Sequence, residues 1–69
     1  SGILYFNSNI FIKDIPIFAK VFDLTGKQLM SNELIDRKID LSKFDNGIYI
    51  LELFQGNQIT RNKIIIKKL

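Results

Sequence analysis

Two residue types that supply much of protein chemistry are missing from this chain. Its 69 residues include no cysteine and no histidine. The absence of cysteine excludes disulfides and thiolate metal sites, and the absence of histidine excludes an imidazole base. A nucleophile would have to be a serine, threonine or lysine, assisted by one of seven carboxylates. We therefore predict a non-catalytic domain with no cofactor.

Long apolar runs are also missing. No segment approaches the roughly 20 apolar residues that span a bilayer, so no membrane span is predicted. No signal-peptide pattern opens the chain, and an exported parent would carry its entry signal elsewhere. Ser1-Gly2 fits a cloning remnant or native sequence, and the sequence leaves both open. Hydrophobic residues make up 46% of the chain, enough for one small core, which predicts a single domain over residues 1–69.

Alternating apolar residues and turn residues organise the sequence, rather than helical spacing. In chain order the predicted strands are Ile3–Phe6, Ile10–Lys13, Ile17–Asp23, Gln28–Met30, Lys38–Leu41 and a final hairpin, with turns at Asn7-Ser8-Asn9, Leu24–Lys27 and Leu41–Phe44. For Ser31–Lys38 we favour a loop over one helical turn. Short strands without a helix of ordinary length predict an all-β domain, a small antiparallel sandwich of two sheets packed face to face.

Three local patterns predict side-chain directions and turn geometry. In the strand that follows Pro16, Ala19 and Val21 share a face with Ile17, and Lys20 lies on the other face. In the Leu24–Lys27 turn, Gly26 can take a positive φ at little steric cost. In the Leu41–Phe44 turn, both of those end residues point inward, and Asp40 or Ser42 accepts hydrogen bonds from backbone amides.

The last hairpin defines its own register. With Gly56-Asn57 as a two-residue turn, Gln55 faces Gln58, and the opposed pairs are Glu52 with Arg61, Ile50 with Lys63 and Tyr49 with Ile64. This register separates two faces. Glu52, Arg61 and Lys63 lie on one face; Tyr49, Leu51, Leu53, Ile64 and Ile66 lie on the other. We predict that the first face is exposed to solvent and that Glu52 and Arg61 form a cross-strand ion pair.

Carboxylates near the turns allow two chemical interpretations. Asp36 and Asp40 would align only on a helix, which the local pattern does not favour, so we predict solvated side chains rather than a catalytic pair. Asp40, Asp45 and Asn46 offer oxygen atoms of the kind that Ca²⁺ binds, but their spacing matches no calcium loop. Turn capping is the preferred interpretation.

The positive charge is concentrated late in the chain. The net charge is +3, and Arg61, Lys63, Lys67 and Lys68 are the late cations. Nucleic-acid binding is not predicted, because the late hairpin has few aromatic residues and Tyr49 is assigned inward. Lysine on a terminal strand can instead prevent edge-to-edge aggregation, which is compatible with a role in recognition.

Four phenylalanines allow a second type of surface. Phe11, Phe18, Phe22 and Phe54 could form a stacking face of the kind that glycan-binding modules use, although a core role is favoured in so short a chain. Phe18 and Phe22 fall opposite Ala19 and Val21, so a segment at Ile3–Ile12 or another molecule could cover one of these faces. The alternatives for function are thus a glycan-binding accessory domain of an extracellular enzyme and an adhesion module that associates with itself through an edge strand.

The order of several segments resembles a known family. The segments are Val21-Phe22-Asp23-Leu24-Thr25-Gly26-Lys27, the loop and strand Ile39-Asp40-Leu41-Ser42-Lys43-Phe44-Asp45-Asn46-Gly47-Ile48-Tyr49-Ile50-Leu51, and Lys63-Ile64-Ile65-Ile66-Lys67. Over about Ile17 to Lys68 they are similar to the type A C-terminal sorting domain of the type IX secretion system, the Por secretion tail family. The resemblance implies an immunoglobulin-like sandwich of about seven strands. It also implies a secretion signal that the outer-membrane machinery recognises and a sortase-like peptidase removes, so that the parent passes through the periplasm to the cell surface or medium.

The resemblance assigns roles to particular residues. Gly26 and Gly47 would preserve backbone geometry, and Tyr49 would lock the core. The strand from Lys63 to Leu69 would offer its edge and charges to the machinery, which makes Arg61, Lys63, Lys67 and Lys68 the predicted recognition residues. Family members usually open with Pro-Asn-Pro, whereas this chain has Asn7-Ser8-Asn9 near its start, so no cleavage site is assigned.

Overall fold

The computed structural model describes residues 3–5, 15–36 and 38–68 of the chain, and these residues form six strands and no helix. The strands are β1 (Ile3–Tyr5), β2 (Phe18–Phe22), β3 (Gln28–Glu33), β4 (Lys38–Asp40), β5 (Gly47–Gln55) and β6 (Gln58–Ile66). Every paired strand is antiparallel, as predicted. The predicted turn at Asn7-Ser8-Asn9 and strand at Ile10–Lys13 lie outside the described residues, as do Ser1-Gly2 and Phe11.

The described strands form two sheets around one core. β3, β2, β5 and β6 form a four-stranded sheet in that order, and β1 pairs with β4. The buried residues come from both sheets and the segments beside them: Ile17, Ala19, Val21, Leu34, Ile39, Leu41, Leu51, Leu53 and Ile66. Because Ile39 of β4 belongs to the same cluster as the inner face of the larger sheet, the arrangement is consistent with a two-layer sandwich.

β2 and β3 differ in how well their sequences predict them. Ala19 and Val21 of β2 are fully buried with Ile17 nearby, and Lys20 lies on the outer face, as predicted. β3 continues to Glu33, three residues past its predicted end at Met30, because its polar residues pair with β2 as far as Phe18 opposite Glu33. The predicted loop is therefore shorter and contains a tight turn in which Asp36 has a φ of 55°.

The final hairpin has the predicted register. Glu52 lies opposite Arg61, Ile50 opposite Lys63, and Tyr49 opposite Ile64. One part of the prediction was wrong, since Glu52 is only 6% exposed although it lies on the outer face. Its neighbours across the sheet are Lys20 on β2 and Arg61 on β6, and the Arg61 guanidinium contacts its carboxylate.

Candidate recognition surface

β6 is an edge strand of the sheet that the described residues form. Its side chains alternate between the two faces of the sheet. Ile64 and Ile66 pack toward the core, whereas Arg61 and Lys63 share the outer face with Glu52 and Ile50 across β5. The outer series consists of Ile59, Arg61, Lys63 and Ile65, followed by Lys67 just beyond the strand. The predicted recognition residues are therefore not all on one side of β6.

Arg61 is tied to the hairpin itself. Its Nε donates to Oε2 of Glu52 at 2.6 Å, and its NH2 group makes a second short contact to the same oxygen. The Arg61 side chain is 70% exposed, but the carboxylate that it contacts is buried. The ion pair confirms the predicted cross-strand interaction and gives Arg61 a structural role, because loss of the guanidinium would leave a buried carboxylate without this partner.

Lys68 is also engaged within the domain. Its Nζ donates to the backbone carbonyl of Ser42 at 2.6 Å. Its backbone N–H donates to Oδ1 of Asn46 at 2.8 Å. Both contacts join the end of β6 to the loop between β4 and β5, so Lys68 fastens the C-terminal segment to the rest of the fold.

Lys63 and Lys67 differ from these two cations. Both side chains are exposed, and neither makes an ion pair or hydrogen bond with the part of the chain that the structure describes. They follow the same outward series of β6, separated by Ile65, which is 73% exposed. Of the predicted recognition residues, these are the two whose charges remain available to a partner.

The residues to which the family resemblance assigns structural roles, Gly26, Gly47 and Tyr49, differ in what their positions require. Gly26 has a φ of 90°, where a side chain would be strained. Gly47 has no such φ, and a Cβ placed there would lie 3.5 Å from the Tyr49 ring, an ordinary contact. The backbone at Gly47 therefore does not require glycine. The Tyr49 ring stacks on Phe44, packs on the core, and donates its hydroxyl to the carbonyl of Asp45 at 2.8 Å.

Polar side chains at the turns are used as caps. Oδ1 of Asp40 accepts the backbone N–H of Ser42 at 2.9 Å, and the hydroxyl and amide of Ser42 hold the Asp40 pKa below its ordinary value. Asn46 accepts from Lys68. These contacts support turn capping over the calcium interpretation. Within the described residues, no group of three or more acidic, histidine or cysteine side chains could hold a metal ion.

The phenylalanines do not follow the favoured core interpretation. Phe18 is 47% exposed, and Phe22 and Phe54 are half-buried on the outer face rather than in the core. Lys20 covers Phe54, with Nζ 5.0 Å from the ring centroid. Because one ring is covered by a cation and another is half-buried, these three side chains do not form the open stacking face that glycan binding needs.

The sequence-based predictions did not include the Asp23 cap or the hydrogen bond from Lys68 to Ser42. Oδ1 of Asp23 accepts the backbone N–H groups of Thr25 and Lys27 and the Thr25 hydroxyl. An aspartate at the start of a Thr-Gly turn is a recognisable signal for such a cap. The contact between Lys68 and the Ser42 carbonyl spans 26 positions, and no local pattern could reveal it.

A family model described as the secretion system C-terminal sorting domain matches residues 1–67. The chain belongs to this family. A relative, Beta-agarase D of Zobellia galactanivorans, is 37% identical over 51 residues, which are 72% of this chain and 11% of the agarase. The chain thus matches a small part of that enzyme's length.

Membership of this family shows the general function of the domain. It is a non-catalytic secretion signal of the type IX system, recognised by that system's machinery, and it directs its parent to the cell surface or medium. No helix among the described residues is both long and apolar enough to cross a membrane. The candidate contacts of this sorting domain are the exposed side chains described above.

Proposed function

We propose that the type IX machinery contacts this sorting domain through Lys63 on β6 and Lys67 just beyond its end. The observation that supports this is the division among the late cations. Arg61 and Lys68 are held by Glu52 and by the Ser42 carbonyl, whereas Lys63 and Lys67 are exposed and have no partner among the described residues. A charge that is already paired contributes less to binding than one that is free when the partner arrives.

In this proposal the other two cations act on the shape of the surface. Arg61 keeps β5 and β6 in register beside the buried Glu52, and Lys68 fixes the end of the strand against the Ser42–Asn46 loop. The partner then meets two lysines at fixed positions rather than a mobile basic tail. Fixed positions reduce the entropy lost on binding.

Self-association through β6 receives little support from the same charges. Arg61 and Lys63 lie on one face of β6 and Lys67 follows just beyond its end, so a second copy would bring cations against cations. We therefore propose that the type IX machinery recognises a single copy of the domain. Sedimentation that shows dimers at micromolar concentrations would contradict this part of the proposal.

Two finer features are proposed from the family resemblance. The first is an immunoglobulin-like arrangement of about seven strands, which the four-stranded antiparallel sheet supports. The second is removal of the domain by a sortase-like cysteine peptidase after export. A backbone assignment by NMR tests the first, and the mass of an exported reporter that bears this domain tests the second.

A charge-reversal experiment tests the recognition residues. The double variant K63E/K67E, fused to a reporter in a strain with the type IX machinery, should reduce export strongly. The matched control is K27E/K43E, which makes the same change in net charge at exposed turn residues. Equal export of the two variants, with both domains folded by circular dichroism, would show that Lys63 and Lys67 are not the contact.

A further inference from the structure

β6 combines the features of a strand that can accept another strand. It has nine residues, Gln58–Ile66, and pairs with β5 in a continuous register without a bulge, proline or glycine. The other end of this sheet, β3, is shorter, and its pairing with β2 shifts register between Val21 and Phe22. Bulges and short strands protect an edge against added strands, so β6 is the less protected edge among the described strands.

The backbone of β6 offers hydrogen bonds in a regular series. In an antiparallel pair, the N–H and C=O groups of alternate residues point to the neighbour, and those of the residues between them point away. The pairing with β5 therefore uses one half of the β6 groups and leaves the other half directed outward. On the outer face of β6, Ile59 is 60% exposed and Ile65 is 73% exposed, so both offer apolar surface to the side chains of an added strand.

The side chains of β6 determine which residue types a strand added beside it should have. The outer series has apolar Ile59 before two cations and apolar Ile65 between Lys63 and Lys67, and these two lysines have no partner in the described part of the chain. Side chains of an added strand lie directly opposite those of the edge strand and share the same faces. A fitting strand therefore has carboxylates opposite the two lysines and apolar residues opposite the two isoleucines.

We propose that β6 binds by strand addition, and that its occupant is an acidic, extended segment of a partner protein with carboxylates opposite Lys63 and Lys67 and apolar residues opposite Ile59 and Ile65. This deepens the proposed function and rests on it, since it names the binding mode and the partner chemistry at Lys63 and Lys67. Main-chain hydrogen bonds supply the affinity of such a complex, and the alternating side chains supply its specificity.

A second copy of β6 fits this edge poorly. In the antiparallel register centred on Asn62, Arg61 of each copy lies opposite Lys63 of the other. In the register centred on Lys63, the two Lys63 side chains face each other. Like charges directly opposite destabilise a strand pair, which favours an acidic partner over self-pairing.

The probe for this proposal is a synthetic peptide of the sequence Glu-Thr-Ile-Thr-Glu-Thr-Thr-Thr-Ile. Paired antiparallel with β6, it places glutamates opposite Lys67 and Lys63 and isoleucines opposite Ile65 and Ile59. The control peptide carries lysine in place of each glutamate. Binding to the whole, isotopically labelled chain is followed by amide chemical shifts and by amide hydrogen exchange.

Strand addition predicts shift changes concentrated on β6 and slower exchange at its alternate, outward-pointing amides. The peptide should bind K63E/K67E roughly tenfold or more weakly, while K27E/K43E should bind within about twofold of the unmodified chain. Three results would overturn the proposal: equal binding of the lysine peptide, shift changes centred away from β6, or outward amides of β6 that already exchange slowly without peptide.

The proposal and the underlying function fail in different ways. One outcome separates the two: the reporter is exported and K63E/K67E blocks its export, but the acidic peptide does not protect the β6 amides from exchange. In that case the machinery recognises the charges of the lysines, and strand addition is wrong. If the unmodified domain does not direct export at all, the proposed recognition role is wrong whatever the peptide does.

Discussion

At the scale of single residues, one carboxylate oxygen organises the turn between β2 and β3. Oδ1 of Asp23 accepts the Thr25 hydroxyl at 2.6 Å, the Thr25 amide at 2.9 Å and the Lys27 amide at 3.0 Å. The hydroxyl of Thr25, the amides of Lys27 and Thr25 and the charge of Lys27 hold the pKa of Asp23 below its ordinary value. The ionised form is therefore the one that the folded turn favours.

The sign of this pKa shift predicts a pH dependence. A lowered folded-state pKa contributes stability above the ordinary aspartate pKa, and this contribution is lost as the pH falls through the lowered value. We expect D23A to reduce the melting temperature at neutral pH and to approach the unmodified chain in strong acid. D23N keeps an acceptor oxygen without the charge and should fall between them at neutral pH. A deficit of D23A that stays constant down to strong acid would contradict the assignment.

Tyr49 provides a second prediction for a single side chain. Y49F retains the stacking on Phe44 and removes only the hydrogen bond from the hydroxyl to the Asp45 carbonyl. We expect a loss of about 0.5–1.5 kcal/mol in the free energy of unfolding, measured by chemical denaturation. A larger loss from Y49F than from Y49L would mean that the ring itself contributes little.

At the scale of elements, the β5–β6 hairpin carries the ion pair between buried Glu52 and Arg61. R61M removes the guanidinium that contacts the buried carboxylate and keeps an unbranched side chain, so we expect the free energy of unfolding to fall by about 1–3 kcal/mol. K63M changes the same charge on the same face of the same strand, and we expect a change within about 0.5 kcal/mol. Chemical denaturation of both variants measures the difference. Equal losses would show that Glu52 does not depend on Arg61.

Elements were predictable from sequence where a local signal determined them. The Gly56-Asn57 turn fixes how residues on the two arms oppose each other, so every pair from Gln55–Gln58 outward followed. The end of β3 has no alternation, and its strand conformation depends on pairing with β2, so the prediction stopped early. Alternation placed Glu52 on the outer face correctly. It could not show that this side chain would be only 6% exposed.

At the scale of the whole molecule, the C-terminal segment is joined to the loop between β4 and β5. Lys68 makes both contacts, one through its amide to Asn46 and one through its ammonium group to Ser42. Contacts of this kind join residues far apart in sequence, so no local pattern could reveal them when the family resemblance assigned Lys68 to recognition with its neighbours. We propose that these contacts of Lys68 also orient the surface that carries Lys63 and Lys67.

This role predicts a local effect. K68M removes the contact with the Ser42 carbonyl, and we expect faster amide exchange at Lys68 and around the Ser42–Asn46 loop, with little change in the central pairs of β2 and β5. K67M is the control, because Lys67 makes no such contact within the described residues. Uniformly faster exchange across both sheets in K68M would indicate global destabilisation rather than a local tie.

The central claim is that this small sandwich is sufficient to direct type IX export of a protein when it is attached to that protein's C-terminus. The most direct measurement fuses residues 1–69 to the C-terminus of a folded periplasmic reporter and compares two strains that differ only in the type IX translocon. We predict reporter on the cell surface or in the medium in the strain with the translocon and retention in the periplasm in the other. Retention in both strains, with the domain folded, would contradict the claim.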